Sequence, residues 1–112
     1  MKEKTYYHKL IRDKIPEIIE SFGNEYETRT MDDEEFVAEL KKKLLEEVKE
    51  LVESSDENIL NELADVLEII KTIGNYYKIN FTEIEKNQIQ KRVKRGGFDK
   101  KLFLIWSTDD SK

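Results

Sequence analysis

Apolar residues recur every three to four positions through two long stretches of this chain. Phe36, Val37, Leu40, Leu44, Val48, Leu51 and Val52 make one stripe. Ile59, Leu60, Leu63, Val66, Leu67, Ile70 and Ile73 make a second. Each has the period of an amphipathic helix. Asp32 or Asp33 is placed to start the first helix, and Ser54-Ser55-Asp56 separates it from the next. So short a break predicts two antiparallel neighbours. Upstream, Ile15, Ile18, Ile19 and Phe22 mark a shorter helix, with Asp13 as its cap, Pro16 in its first turn and Gly23-Asn24 at its end. Downstream, Thr82-Glu-Ile-Glu85 has the form of a capping box, and Gly96-Gly97 ends the last helix.

Two other segments change period. Residues 25–31 alternate and are rich in β-formers, and residues 101–107, Lys-Leu-Phe-Leu-Ile-Trp-Ser, read as a second strand. A lone strand is unstable, so the two are expected to pair as a small antiparallel ribbon. The fold class is therefore mainly α: an antiparallel bundle of about four helices with a two-stranded ribbon. One domain spans residues 1–107, and 108–112 form a short polar tail.

Composition narrows the class. The 112 residues fit one small domain, and the 38% hydrophobic share is low against 40% charged, yet its periodicity marks a globular chain. A domain this small buries only about two-thirds of its unfolded surface, which favours a homodimer or higher homo-oligomer. The absence of cysteine excludes disulfides, zinc–thiolate sites and thiol nucleophiles. No apolar run approaches the ~18 residues of a membrane span, and the N-terminus lacks a secretory stretch. The expected location is the cytoplasm.

The charge is unevenly distributed. Residues 32–68 hold fourteen acids and four bases, a net of -10, whereas residues 91–101 net +5. An acidic centre with a basic flank suits a metal–phosphate ligand, the metal meeting the acids and the phosphates the bases. At about 100° per residue, Glu46, Glu47 and Glu50 share one arc of the first long helix, with Glu47 nearest its apolar stripe. Glu62 and Asp65, three apart on the second, are surface neighbours beside theirs. Packing on those stripes brings both acidic edges to one seam. Converging carboxylates repel each other and resist desolvation, and a divalent cation relieves both. All-oxygen ligands favour Mg²⁺, Mn²⁺ or Ca²⁺ over zinc or copper. The chemistry that follows is metal-assisted attack of water on phosphorus. The bland alternative is a solvated acidic helix pair, its acids matched by Lys41, Lys42, Lys43 and Lys49 along the helix.

Glu46-Glu-Val-Lys-Glu50 followed by Glu62-Leu-Ala-Asp65 resembles the EExxE…ExxD pattern of the MazG-like all-α nucleotide pyrophosphohydrolases. Lys9-Leu-Ile-Arg-Asp-Lys-Ile-Pro16 and Lys91-Arg-Val-Lys-Arg-Gly-Gly-Phe98 resemble its small phosphoribosyl-ATP pyrophosphohydrolase-like, house-cleaning branch. The resemblance runs from residue 6 to about 105. It implies a magnesium-dependent enzyme, with manganese as a substitute. Such an enzyme hydrolyses a nucleoside triphosphate or a phosphoribosyl-ATP-like substrate between the α and β phosphates, releasing a monophosphate and pyrophosphate. It also implies Glu47, Glu50, Glu62 and Asp65 as metal ligands. Glu46 and Glu47 then carry the catalytic roles, Glu46 behind the ligands or as the base that orients water. Only residues 51–61 separate the half-motifs, which leaves no room for an extended base-recognition insert.

Lys91, Arg92, Lys94 and Arg95 fall in the last turns of a helix, where the dipole favours cations whatever their role. As ligands, Lys91, Arg92 and Arg95 would grip substrate phosphates, and Lys9 and Arg12 form a second phosphate-contact pair. Lys14 reads as surface charge. Tyr6 and Tyr7 can stack on a base, whereas Phe98 and Trp106 are expected to complete the core. His8, the only histidine, reads as solvated. Two non-catalytic readings compete. One makes residues 91–101 a nucleic-acid patch, which the -10 segment disfavours by repelling a phosphate backbone. The other is a helical dimerisation domain with merely solvated acids.

Overall fold

The computed structural model describes residues 2–108. Among these residues four α-helices follow one another: α1 (Ile15–Ser21), α2 (Asp33–Glu53), α3 (Ile59–Tyr76) and α4 (Phe81–Arg95). A single 3-10 turn, Asp56–Asn58, leads into α3. Among the described residues, no helix is long and apolar enough to cross a membrane.

The helix ends follow local chemistry. Asp32 caps α2, its Oδ1 accepting from the Glu35 backbone N–H at 2.8 Å. Pro16 sits in the first turn of α1, but the residue before that helix is Lys14 and no side chain caps it, so Asp13 does not fill the expected role. The cap of α4 is Asn80 rather than Thr82. Its Oδ1 accepts from the Glu83 N–H at 2.9 Å, starting the helix at Phe81. Gly96, at φ +83°, ends α4 in the backbone region that glycine adopts without strain.

Helices α2 and α3 form an antiparallel hairpin. Phe36, near the start of α2, meets Tyr76, at the end of α3, with ring centroids 6.3 Å apart. Leu40 and Ile69 are the buried apolar residues at its centre, and Leu40 is only 2% exposed. The backbone of α4 closely approaches that of α3, and the backbone of α1 closely approaches no other helix. Gly74 permits the α3–α4 junction, because a Cβ there would stand 2.9 Å from the Ile79 carbonyl oxygen.

Three sequence expectations are corrected. Among the described residues there is no strand, so segments 25–31 and 101–107 do not form the expected ribbon. Phe98 and Trp106 do not complete the core; they are 96% and 77% exposed. The apolar residues of α3 also divide between two sides. Ile59, Val66, Ile69 and Ile73 turn inward, whereas Leu60, Leu63, Leu67 and Ile70 remain exposed. Apolar residues cover so much of the α3 circumference that periodicity alone does not choose the side facing α2.

Candidate metal centre

The inward face of α2 is not wholly apolar. Glu47 takes a core position one turn from Lys43 and Leu44, and it is only 7% exposed. Glu62 and Asp65 of α3 are half-buried across from it. One carboxylate oxygen from each of Glu47, Glu62 and Asp65 lies within 4.8 Å of the other two. Three of the five expected acids, from two helices, therefore converge on one seam.

The polar partners around this seam are incomplete. Lys43 Nζ stands 3.5 Å from Glu47 Oε1, an i,i+4 pair along α2. Glu47 Oε2 and Glu62 Oε2 are buried with no hydrogen-bond partner. Buried carboxylate oxygens are costly to desolvate and are normally paired. Burial pushes the Glu47 carboxyl above the ordinary carboxylate range. The neighbouring Glu50 raises it further by charge and by hydrogen bonding, while Lys43 opposes both.

A divalent cation fits this donor set. It would supply partners to both orphan oxygens and neutralise the mutual repulsion. Adjacent oxygen ligands stand about 3 Å apart around magnesium, so oxygens that lie within 4.8 Å of one another would close further on the ion.

The other expected residues divide. Arg12 reaches the seam, its Nη2 donating to Asp65 Oδ1 at 2.9 Å. Lys9 and Glu46 line a shallow depression beside the seam, together with Leu10, Glu39, Lys42 and Lys43. Glu50 is exposed and adjoins Glu47, but it is not one of the three acids whose oxygens converge. Lys91, Arg92 and Arg95 lie on α4, whose backbone does not closely approach α2, and none forms an ion pair with the three acids. Arg92 turns instead to Asp99, at 3.3 Å. Sequence reasoning missed Glu39 and Lys42 at the depression. The signal was available, because Glu39, Lys42, Lys43 and Glu46 recur at three- and four-residue spacing along one edge of α2.

Comparison with family models, curated proteins and solved structures found no match to this chain.

Proposed function

We propose that this protein is a divalent-metal-dependent nucleotide pyrophosphohydrolase whose metal is held by Glu47, Glu62 and Asp65. The observation that carries the reading is the pair of orphan oxygens, Glu47 Oε2 and Glu62 Oε2, buried within a three-carboxylate convergence. Solvated surface acids do not stand buried without partners. The ordered EExxE…ExxD acids and the basic Lys9 and Arg12 beside them point to a phosphate-bearing substrate.

Each residue has a task in this reading. Glu47, Glu62 and Asp65 bind the metal, and Glu50 holds negative charge behind Glu47. Magnesium held by these carboxylates would supply Lewis-acid chemistry, polarising a phosphoryl oxygen and lowering the pKa of water. Glu46, exposed at the rim, accepts the proton of the attacking water. Arg12 and Lys9 bind phosphate oxygens, arginine through its planar fork. The substrate is a nucleoside triphosphate or a phosphoribosyl-ATP-like compound, cut between the α and β phosphates.

Melting with and without magnesium tests the metal site. A ligand that binds only the native state raises the Tm by mass action. Wild type should gain stability with magnesium, and a Glu62→Gln, Asp65→Asn double variant should not. No gain in wild type, or an equal gain in the variant, counts against the site.

A further inference from the structure

We propose that the end of α4 and the segment after it, residues 91–106, bind the surface of an anionic lipid membrane. This inference is independent of the chemistry proposed above, since it uses none of the seam acids.

The first observation is an apolar run. Leu102, Phe103, Leu104, Ile105 and Trp106 are consecutive, and each is at least 77% exposed. Residues 101–107 belong to no helix or strand. Five consecutive apolar side chains have no single apolar face. In a strand they alternate between two sides, and in a helix they pass right round the axis. A groove or a sheet edge would cover only some of them, whereas the margin of a bilayer surrounds whatever enters it. Five residues fall far short of the ~20 that span a membrane, so the run enters from one surface only. Trp106 closes the run, and tryptophan favours the membrane–water interface, where its ring and its N–H meet different media.

The second observation is the charge beside that run. Residues 91–101 carry six bases and one acid. The acid, Asp99, is engaged by Arg92 Nη2 at 3.3 Å. Gly97 makes room for that pair, because a Cβ there would strike the Arg92 guanidinium. Lys91, Lys94, Arg95, Lys100 and Lys101 pair with no described acid. A turn closed by the Lys101 N–H on the Phe98 carbonyl, at 3.1 Å, joins the helix-end bases to the apolar run. Lys100 and Lys101 thus directly precede Leu102.

Together the two halves match an anionic bilayer. A short apolar anchor alone binds a membrane weakly, and a polybasic patch beside it supplies the second attraction. The ammonium and guanidinium groups meet the lipid headgroups, and the apolar run enters beneath them. A nucleic acid fits less well. Its phosphates would meet the same bases and its bases could stack on Phe103 and Trp106, but Leu102, Leu104 and Ile105 would stay in water. The rest of the chain is acidic and turns away from such a surface. Screening over about 8 Å at physiological salt confines its repulsion to acids close to the lipid.

Trp106 is the only tryptophan, so its fluorescence reports this segment alone. The full chain would be mixed with vesicles of phosphatidylcholine containing about 30% phosphatidylserine, and with vesicles of phosphatidylcholine alone. The anionic vesicles should carry the protein down on sedimentation and shift Trp106 emission to shorter wavelength. Lipids brominated on their acyl chains should quench it. Neutral vesicles should bind at least about tenfold more weakly. A Leu104→Asp, Ile105→Asp variant should lose the shift and the quenching yet keep its helical circular dichroism, since both residues stand outside the helices. Lys100→Gln with Lys101→Gln should weaken binding by about fivefold per lysine. No binding to anionic vesicles, equal binding to neutral ones, or binding without quenching overturns the proposal. So does emission already at short wavelength in buffer and unmoved by vesicles, which would mean that protein covers the run. Binding to RNA or DNA fragments with none to vesicles overturns it too.

Discussion

The Arg12 guanidinium crosses from the segment before α1 to α3 and donates to Asp65 Oδ1 at 2.9 Å. The contact joins the N-terminal segment to the carboxylate seam, and it puts a cation on one of the three acids that would hold the proposed metal. The two side chains are 60% and 41% exposed, so the pair adds little stability. Arg12→Gln should lower stability by less than about 1 kcal/mol, measured by denaturant unfolding without metal. Magnesium affinity should rise, by up to about fivefold, because Asp65 loses its competing cation. Calorimetric titration reads this directly, and weaker binding by the variant contradicts the competition.

Glu47 holds a charge where the hairpin would otherwise bury a hydrophobic side chain. Without metal, Glu47→Gln should stabilise the protein by about 1 kcal/mol, raising the Tm by about 4–8 °C. The same variant should lose the magnesium-dependent gain. A residue retained for packing alone would show the reverse: a less stable variant with an unchanged response to magnesium.

The raised Glu47 carboxyl gives a sign to the pH dependence. Its native state binds a proton more tightly than the unfolded chain. From this group, stability without metal therefore falls as pH rises from the ordinary carboxylate value through the raised native one. Metal affinity should rise over the same window, because only the ionised carboxylate is a ligand. Glu47→Gln should flatten both trends in melting and titration series. A metal affinity that is level across that window would contradict this assignment.

Gly74 tests the α3–α4 junction. Alanine normally favours a helix interior over glycine, but here its Cβ would press on the Ile79 carbonyl oxygen at 2.9 Å and on Ile84 Cδ1 at 3.0 Å. Gly74→Ala should therefore destabilise the chain by about 1–3 kcal/mol in urea unfolding. A stabilised variant would mean that the junction is looser than described.

Much of this architecture was legible in the sequence. The period of Val37, Leu40 and Leu44 located α2, and Ser54-Ser55-Asp56 located the turn of the hairpin, because those signals are local. Convergence of Glu47, Glu62 and Asp65 was legible because two helices joined by so short a link can pack only as neighbours. The ribbon was misread for a physical reason. Alternation in 25–31 reports β-propensity, but a ladder also needs a partner within hydrogen-bonding reach. The cap of α4 was misplaced because Asn80 and Thr82 both have capping side chains, and only the Asn80 contact with the Glu83 N–H distinguishes them. The Arg12–Asp65 pair joins residues 53 positions apart, and no local pattern encodes it.

Pyrophosphate release is the most direct test of the central claim. Wild type and Asp65→Asn would be assayed with magnesium or manganese against canonical and damaged nucleoside triphosphates and phosphoribosyl-ATP. The account predicts metal-dependent pyrophosphate release from at least one substrate by wild type, and a loss of about 100-fold or more in the variant. Turnover of no substrate with either metal, or equal turnover by both proteins, would contradict it.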